Sequence, residues 1–235
     1  MTIPKLTVSN YPEMLRKLSA AAFFVTLACV SVLRAKIESI NTLLNALDIS
    51  TDIRVVGPVE FPLGTVIVAA LVAFVSEAIR LHDKVSDWLK IRAEFDLRFI
   101  LIPAALMSGA SLNWAQFGKL RSDRTRMMGE VFYEYASSSS GKAAIDPHAI
   151  SQALTTWSWY WLCVEAIVLL LVTSAFFAVE GQYPTLAAIL ASILALLMLM
   201  GVFKSDCGRY ADSQVRQVLS DESRKAAIAA KFNAL

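Results

Sequence analysis

The stretch GQYPTLAAILASILALLMLMGVF, residues 181–203, decides the fold of this chain, because it contains no charged residue. A helix needs about 20 mostly apolar residues to cross the hydrocarbon layer of a bilayer. The stretch is long enough to do so as one helix, with apolar side chains on every face. We therefore expect it to be a transmembrane span.

Three further stretches have the same character. Residues 18–33 and 61–76 carry no charge, and residues 157–179 carry a single one, on Glu165. The chain is 56% hydrophobic and 18% charged, with a mean hydropathy of +0.54, whereas soluble proteins are about 45–50% apolar and about 25% charged. We predict an all-α integral membrane protein with four transmembrane helices.

The distribution of Lys and Arg predicts the direction of these spans. With the N-terminus inside, cytoplasmic segments carry 19 cationic side chains and outer segments carry 3. Adding residues 99–118 as a fifth span gives at best 14 inside and 8 outside. Cytoplasmic loops of membrane proteins are enriched in cations, so four spans fit better. We expect a multi-pass protein of the bacterial inner membrane, in contact with the lipid bilayer, with both termini cytoplasmic.

The spans divide the chain into four segments. We expect an N-terminal hairpin (1–79), a helical cytoplasmic element (80–156), a C-terminal hairpin (157–203) and a helical cytoplasmic tail (204–235). The first hairpin has spans at about 18–34 and 61–79 and an outer loop at 35–60, with an amphipathic helix from Ile37 to Leu47.

Helical periodicity continues beyond the second span. It predicts one long helix from Glu77 to Ile102 that stops before Pro103, because a proline ring clashes with the preceding turn of a helix. Residues 99–112 are then a buried helix, a re-entrant segment or a segment lying on the membrane surface. The apolar stripe of the tail predicts packing on the cytoplasmic element or on copies of the tail.

Glu165 is the one acidic residue inside the third span. A carboxylate at such a depth tends to face a bundle interior or a water-filled cavity, and Thr173 follows two turns along the same face. The pair is a candidate pore or gating site. The alternative is a structural role near the headgroup level, since Trp157, Trp159 and Trp161 are interfacial residues.

Small residues recur every four positions on the last span, at Ala187, Ala191 and Ala195. This spacing lets two helices approach closely in lipid. It predicts helix packing, either within one chain or between subunits.

The cytoplasmic element contains a basic segment, residues 119–126, with aromatic residues on both sides of it in the sequence. Its cations have three possible roles: a solvated face, contact with anionic lipid headgroups, or binding of a phosphorylated ligand such as a nucleotide or oligonucleotide, with an aromatic ring stacking on the base. The candidate residues are Lys119, Arg121, Arg124, Arg126, Trp114 and Tyr133.

Signatures of catalysis and of metal binding are missing from the sequence. The three cysteines are far apart, there are two histidines, and no CxxC motif or Cys/His cluster is present. A disulfide framework and a structural zinc site are therefore not supported. We predict no enzymatic activity, no catalytic residue, no metal and no cofactor.

In overall plan the chain resembles small multi-span membrane effectors of bacterial antiviral systems, in which a cytoplasmic nucleotide or oligonucleotide controls membrane permeability. The resemblance covers four spans, the cytoplasmic element with its basic segment, and a polar tail. It implies a homo-oligomeric pore that opens when the cytoplasmic element changes state. The alternative is a non-conducting scaffold that recruits a soluble partner protein.

Overall fold

A computed structural model describes residues 8, 10–48, 52–56, 59–136 and 142–235, and most of them are helical. Their contacts divide them into two compact units. The polar unit comprises the residues up to Tyr11, Asp83–Trp157 and Lys204–Leu235. The apolar unit comprises Pro12–His82 and Ser158–Phe203.

The N-terminal part of the chain begins with a long helix, α1 (Tyr11–Lys36), followed by the short helix α2 (Glu38–Asn45). The predicted amphipathic helix between residues 37 and 47 is thereby confirmed. Strands β1 (Asp52–Val56) and β2 (Val59–Pro62) then pair in antiparallel fashion. This small hairpin is an addition to the predicted all-α architecture.

The second apolar stretch forms helix α3 (Leu63–Ala78), and the chain then bends by 59° into α4 (Leu81–Trp88). A second break separates α4 from α5 (Ile91–Phe95). The prediction of one long helix here was wrong. Arg80 and Lys90 adopt left-handed backbone conformations, with φ of 49° and 54°, which interrupt a right-handed helix.

Helix α5 continues into a π-helical segment, π1 (Asp96–Leu101), and then into α6 (Ile102–Ser108). Pro103 lies in the first turn of α6, so the predicted stop before this proline was also wrong. A proline in a helix has no N–H to donate, and the residue before it, Ile102, donates its N–H to the Leu97 carbonyl five residues back, as in a π-helix. Helix α6 ends at Gly109, whose φ of 85° suits glycine.

Residues 114–136, which include the basic segment, fold into short helices. They are α7 (Trp114–Ser122), α8 (Arg124–Met128), a second π-helical segment named π2 (Gly129–Tyr133), and α9 (Glu134–Ala136). Helix α7 begins with a capping box in which the side chains of Asn113 and Gln116 each accept from the other's backbone N–H. This arrangement satisfies two N–H groups at the helix start.

Three helices complete the chain. Helix α10 spans Pro147–Val179, α11 spans Tyr183–Val218, and α12 spans Glu222–Asn233. The predicted third span therefore begins ten residues inside a longer helix, and the last span continues without interruption into the predicted tail. The helical nature of the tail is confirmed.

The core of the polar unit includes part of the segment 99–112, which favours the buried-helix alternative. Leu101, Ala105, Ile228 and Phe232 belong to one buried cluster, and α6 packs against α12. One face of residues 99–108 is therefore buried, while Leu106 on the other face is 68% exposed. The predicted tail (204–235) packs on the predicted cytoplasmic element (80–156), so these two segments form one unit.

Among the described residues, three helices are long and apolar enough to cross a membrane: α1, α10 and α11. The bent pair α3–α4 would add a fourth if it forms one broken span. Long apolar helices of this kind suit membrane association. The helical class of the fold is confirmed, and the count of four spans stays a prediction.

Candidate functional site

The predicted basic segment lies against the chain between residues 92 and 96. In the centre of this contact Arg124 donates to the carboxylate of Asp96. Asp96 is only 4% exposed. Burial raises the pKa of its carboxyl above the ordinary value, while the charges of Arg124 and Arg92 oppose that rise. The buried acid thus depends on a cation from the basic segment.

A second contact joins the same two stretches. The Arg92 guanidinium donates to the Tyr133 hydroxyl over 3.2 Å, and the backbone N–H of Arg92 donates to the Ser86 hydroxyl over 3.3 Å. Burial disfavours the charge on Arg92, but the Tyr133 hydroxyl and neighbouring acids leave its pKa raised. Asp96 opens π1 and Tyr133 closes π2, so both π-helical segments border this network. Such segments are frequent at functional sites.

The other two predicted arginines, Arg121 and Arg126, are also neutralised, although nearer the surface. Arg121 pairs with Glu94 at 2.7 Å, with both side chains more than half exposed. Arg126 pairs with Asp123 at 2.8 Å and with Glu130 at 3.3 Å. A phosphate approaching any of these arginines would compete with a carboxylate already in place.

Two predicted residues stand apart from this network. Lys119 is exposed and forms no ion pair with any residue that the structure describes. Trp114 is 94% exposed at the start of α7. The aromatic and basic candidates therefore separate into an internal group, with Arg124 and Tyr133, and an exposed group, with Trp114 and Lys119.

Two residues of the internal network, Arg92 and Asp96, and the exposed acid Glu94 were not predicted as site residues. In the sequence Lys90 precedes Glu94, and Arg92 precedes Asp96, by four residues, a spacing typical of local charge pairs on an exposed helical face. In the structure Glu94 and Asp96 pair with arginines 27 and 28 positions later in the chain. Nothing in their spacing distinguishes a local partner from a distant one, because distant pairs depend on the tertiary fold.

In the apolar unit, Glu165 lies on α10 between two buried neighbours, Val164 and Ala166. Its Oε2 atom is buried and has no hydrogen-bond partner among the described residues. Thr173, two turns further along, is 4% exposed. Its hydroxyl donates to the Leu169 carbonyl over 2.8 Å.

The predicted packing face of α11 is exposed in the single chain. Ala187, Ala191 and Ala195 are all exposed, whereas Ile189 and Ile193 are buried against α1 and α10. Only 11% of the residues in the most apolar 18-residue stretch of α11 are buried. Within the described residues the alanine face therefore makes no intrachain packing contact of the predicted kind.

The apolar unit also contains a polar junction that the sequence analysis missed. The Arg34 guanidinium donates to the side chains of Asp48, Asn45 and Thr65. Asp48 in turn accepts from the backbone N–H of Gly64 over 2.8 Å, at the first turn of α3. A side chain on Gly64 would come within 2.6 Å of the Leu44 carbonyl oxygen, so only glycine fits.

This junction borders a cavity of about 590 Å³, whose polar lining includes Lys36, Glu38 and Asn41. Its charged lining residues are the cations Arg34 and Lys36 and the acid Glu38. In the described ranges, no group of three or more His, Cys, Asp or Glu side chains is placed to hold a metal ion.

The chain matches the YmfE protein family over residues 10–229 and belongs to that family. No curated protein matches it, and no solved structure matches it.

Proposed function

We propose that this member of the YmfE family is a membrane permeability protein, in which several copies associate in the bilayer and the polar unit controls passage. The proposal includes an inner-membrane location in a bacterium, four spans and a cytoplasmic polar unit. The single observation that carries it is that Glu165 lies in an apolar helix with one buried carboxylate oxygen that has no hydrogen-bond partner among the described residues.

A carboxylate in an apolar helix is unfavourable by at least a few kcal/mol, and such residues usually face a bundle interior or a water-filled cavity. Glu165 follows Trp157 by eight residues, or about 12 Å along a helix. One of its oxygens has no protein partner among the described residues. Water, an ion or a second copy of the chain would satisfy it.

Association of copies is supported by α11. Its alanine face is exposed, although the spacing of Ala187, Ala191 and Ala195 suits close helix contact. A chain with three or four spanning helices has few elements with which to enclose a path for solutes. Several copies, joined through faces such as this one, would supply the remaining walls.

Flux through liposomes that contain the purified protein tests the proposal. We expect Glu165→Gln to change cation flux by roughly tenfold, because a charge at this depth contributes at least a few kcal/mol before water screens it. The matched control is Glu180→Gln, which removes an exposed acid from the turn between α10 and α11 and should leave the flux unchanged. Equal flux through the wild type and both variants would contradict the proposal. Flux no greater than that of empty liposomes would contradict it as well.

The second candidate function is a non-conducting scaffold. It is favoured by Trp88 and Leu89, which are 81% and 51% exposed at the end of α4 and could bind a soluble partner. Absence of flux together with stoichiometric co-purification of a soluble protein would support it. Control by a nucleotide or an oligonucleotide stays a prediction, and the ion pairs of Arg121, Arg124 and Arg126 do not favour it.

A further inference from the structure

Helix α7 is poorly covered by the rest of the polar unit. Leu120 is its one buried residue, and the capping box at Asn113 and Gln116 stabilises its first turn without tertiary packing. The helix is thus formed locally and presents most of its surface outward.

The outward face of α7 is apolar at its N-terminal end. Trp114 and Phe117 are 94% and 38% exposed, and with Arg121 they lie three and four residues apart, on one side of the helix. Gly118 lies on the same side, and a side chain added there would meet nothing within 4 Å. A tryptophan exposed to this degree is unusual on a surface that meets only water.

Positive charge accompanies these rings. Lys119 is exposed and forms no ion pair with a described residue. Arg121 has a partner, Glu94, but both side chains are more than half exposed, and such pairs are worth little. Tryptophan beside lysine and arginine is the combination that the headgroup layer of a membrane favours.

We propose that α7 lies on the anionic headgroup layer of the membrane, with Trp114 and Phe117 entering the interface. Arg121, on the same side of the helix, contacts lipid phosphates, and the long side chain of Lys119 reaches them from the flank, about 140° around the helix from Trp114. The long apolar helices of the same chain keep a membrane within reach, so a weak surface contact acts at high local concentration. Arg124 and Tyr133 take no part, because they are held in the internal network. The inference does not depend on the permeability proposal.

A spin label on α7 of the full chain tests this inference. The three native cysteines are buried, so Ala115→Cys provides an exposed thiol for a nitroxide. The protein is reconstituted in phosphatidylcholine, and separately in an equal mixture of phosphatidylcholine and phosphatidylglycerol. In the anionic mixture we expect collisions of the label with oxygen to rise and collisions with a water-soluble nickel complex to fall. A label at Ala227→Cys, exposed on α12, should stay in water in both.

Charge substitutions at Gly118 sharpen the test, since the open space there accepts any side chain. In the labelled protein, Gly118→Glu should weaken the membrane contact by about fivefold, the effect of one charge near an anionic surface. Gly118→Lys should strengthen it by a similar factor, and Gly118→Ala shows the effect of a side chain without charge. All three residues favour a helix more than glycine does, so the fold should persist.

Three outcomes would overturn the inference. The label could remain accessible to the nickel complex in both lipid compositions, or Gly118→Glu and Gly118→Lys could behave alike. Alternatively, the label could become protected only when a soluble protein fraction is added, which would assign α7 to a protein partner.

Discussion

The two units treat charge and apolar surface in opposite ways. In the polar unit, apolar residues such as Phe232 are fully buried and a buried acid, Asp96, has a cationic partner. In the apolar unit, large side chains such as Phe74 are 69% exposed, and the acid Glu165 has an oxygen without a partner among the described residues. The difference indicates that the polar unit has an apolar core of its own, whereas the apolar unit is completed by something outside the single chain.

Replacement of a buried phenylalanine gives the largest expected effect on this comparison. Phe232→Ala should lower the free energy of unfolding of the polar unit by about 4 kcal/mol, because it leaves a cavity in a packed core. Denaturant titration of the full chain in mild detergent, followed by near-ultraviolet circular dichroism, measures the change. Phe74→Ala is the matched control and should have an effect below about 1 kcal/mol, because lipid or detergent already surrounds the ring. Similar losses in both variants would break the comparison.

Removing an ion pair from the polar unit gives the next largest expected effect on stability. Arg124→Ala leaves Asp96 buried without its closest cation, and we expect destabilisation by about 3 kcal/mol. Arg121→Ala removes a pair of exposed side chains and should change stability by less than about 1 kcal/mol. The same denaturant titration reports both values. If Arg121→Ala were the more harmful change, the internal network would not be centred on Asp96.

The junction at Asp48 gives the smallest effect and extends the comparison to the apolar unit. Hydrogen bonds from Arg34 and from the Gly64 amide lower the pKa of Asp48 below 3.8 in the folded protein. The ionised Asp48 therefore contributes about 1 kcal/mol to the free energy of unfolding. This contribution is complete above pH 3.8 and is lost as the pH falls through the lowered pKa of Asp48. Thermal unfolding in detergent at successive pH values should show this loss, and Asp48→Asn should remove it. An unchanged pH dependence in that variant would assign the effect to another group.

Elements whose pattern depends on the local sequence alone could be predicted. Uninterrupted apolar stretches located α1, α10 and α11, and helical periodicity predicted α2 and the apolar stripe of the tail. The stretch at 61–76 likewise located α3, but the breaks that separate α3, α4 and α5 were not predicted, because Arg80 and Lys90 carry no local mark of a left-handed conformation. A π-helical turn before Pro103 likewise has no counterpart in the sequence.

The candidate site was predictable only in part. Charge composition identified Arg124, and the aromatic neighbours identified Tyr133, but their partners Asp96 and Arg92 lie about 30 to 40 positions earlier and are set by the tertiary fold. The exposure of Trp114 depends on the same fold. Glu165 was identifiable from sequence, because a single charge in an apolar stretch stands out.

The two π-helical segments have a consequence for how relatives of this chain would differ in length. In π1 the N–H of Ile102 donates to the carbonyl of Leu97, and in π2 the N–H of Glu134 donates to that of Gly129, five residues back in each case. Each such turn holds one residue more than an α-helical turn. Deleting that residue would restore regular helix but rotate the next helical segment by about 100°. Alignments within the family should therefore place single-residue gaps at these two segments, and a loss at one should accompany altered residues in the network it borders.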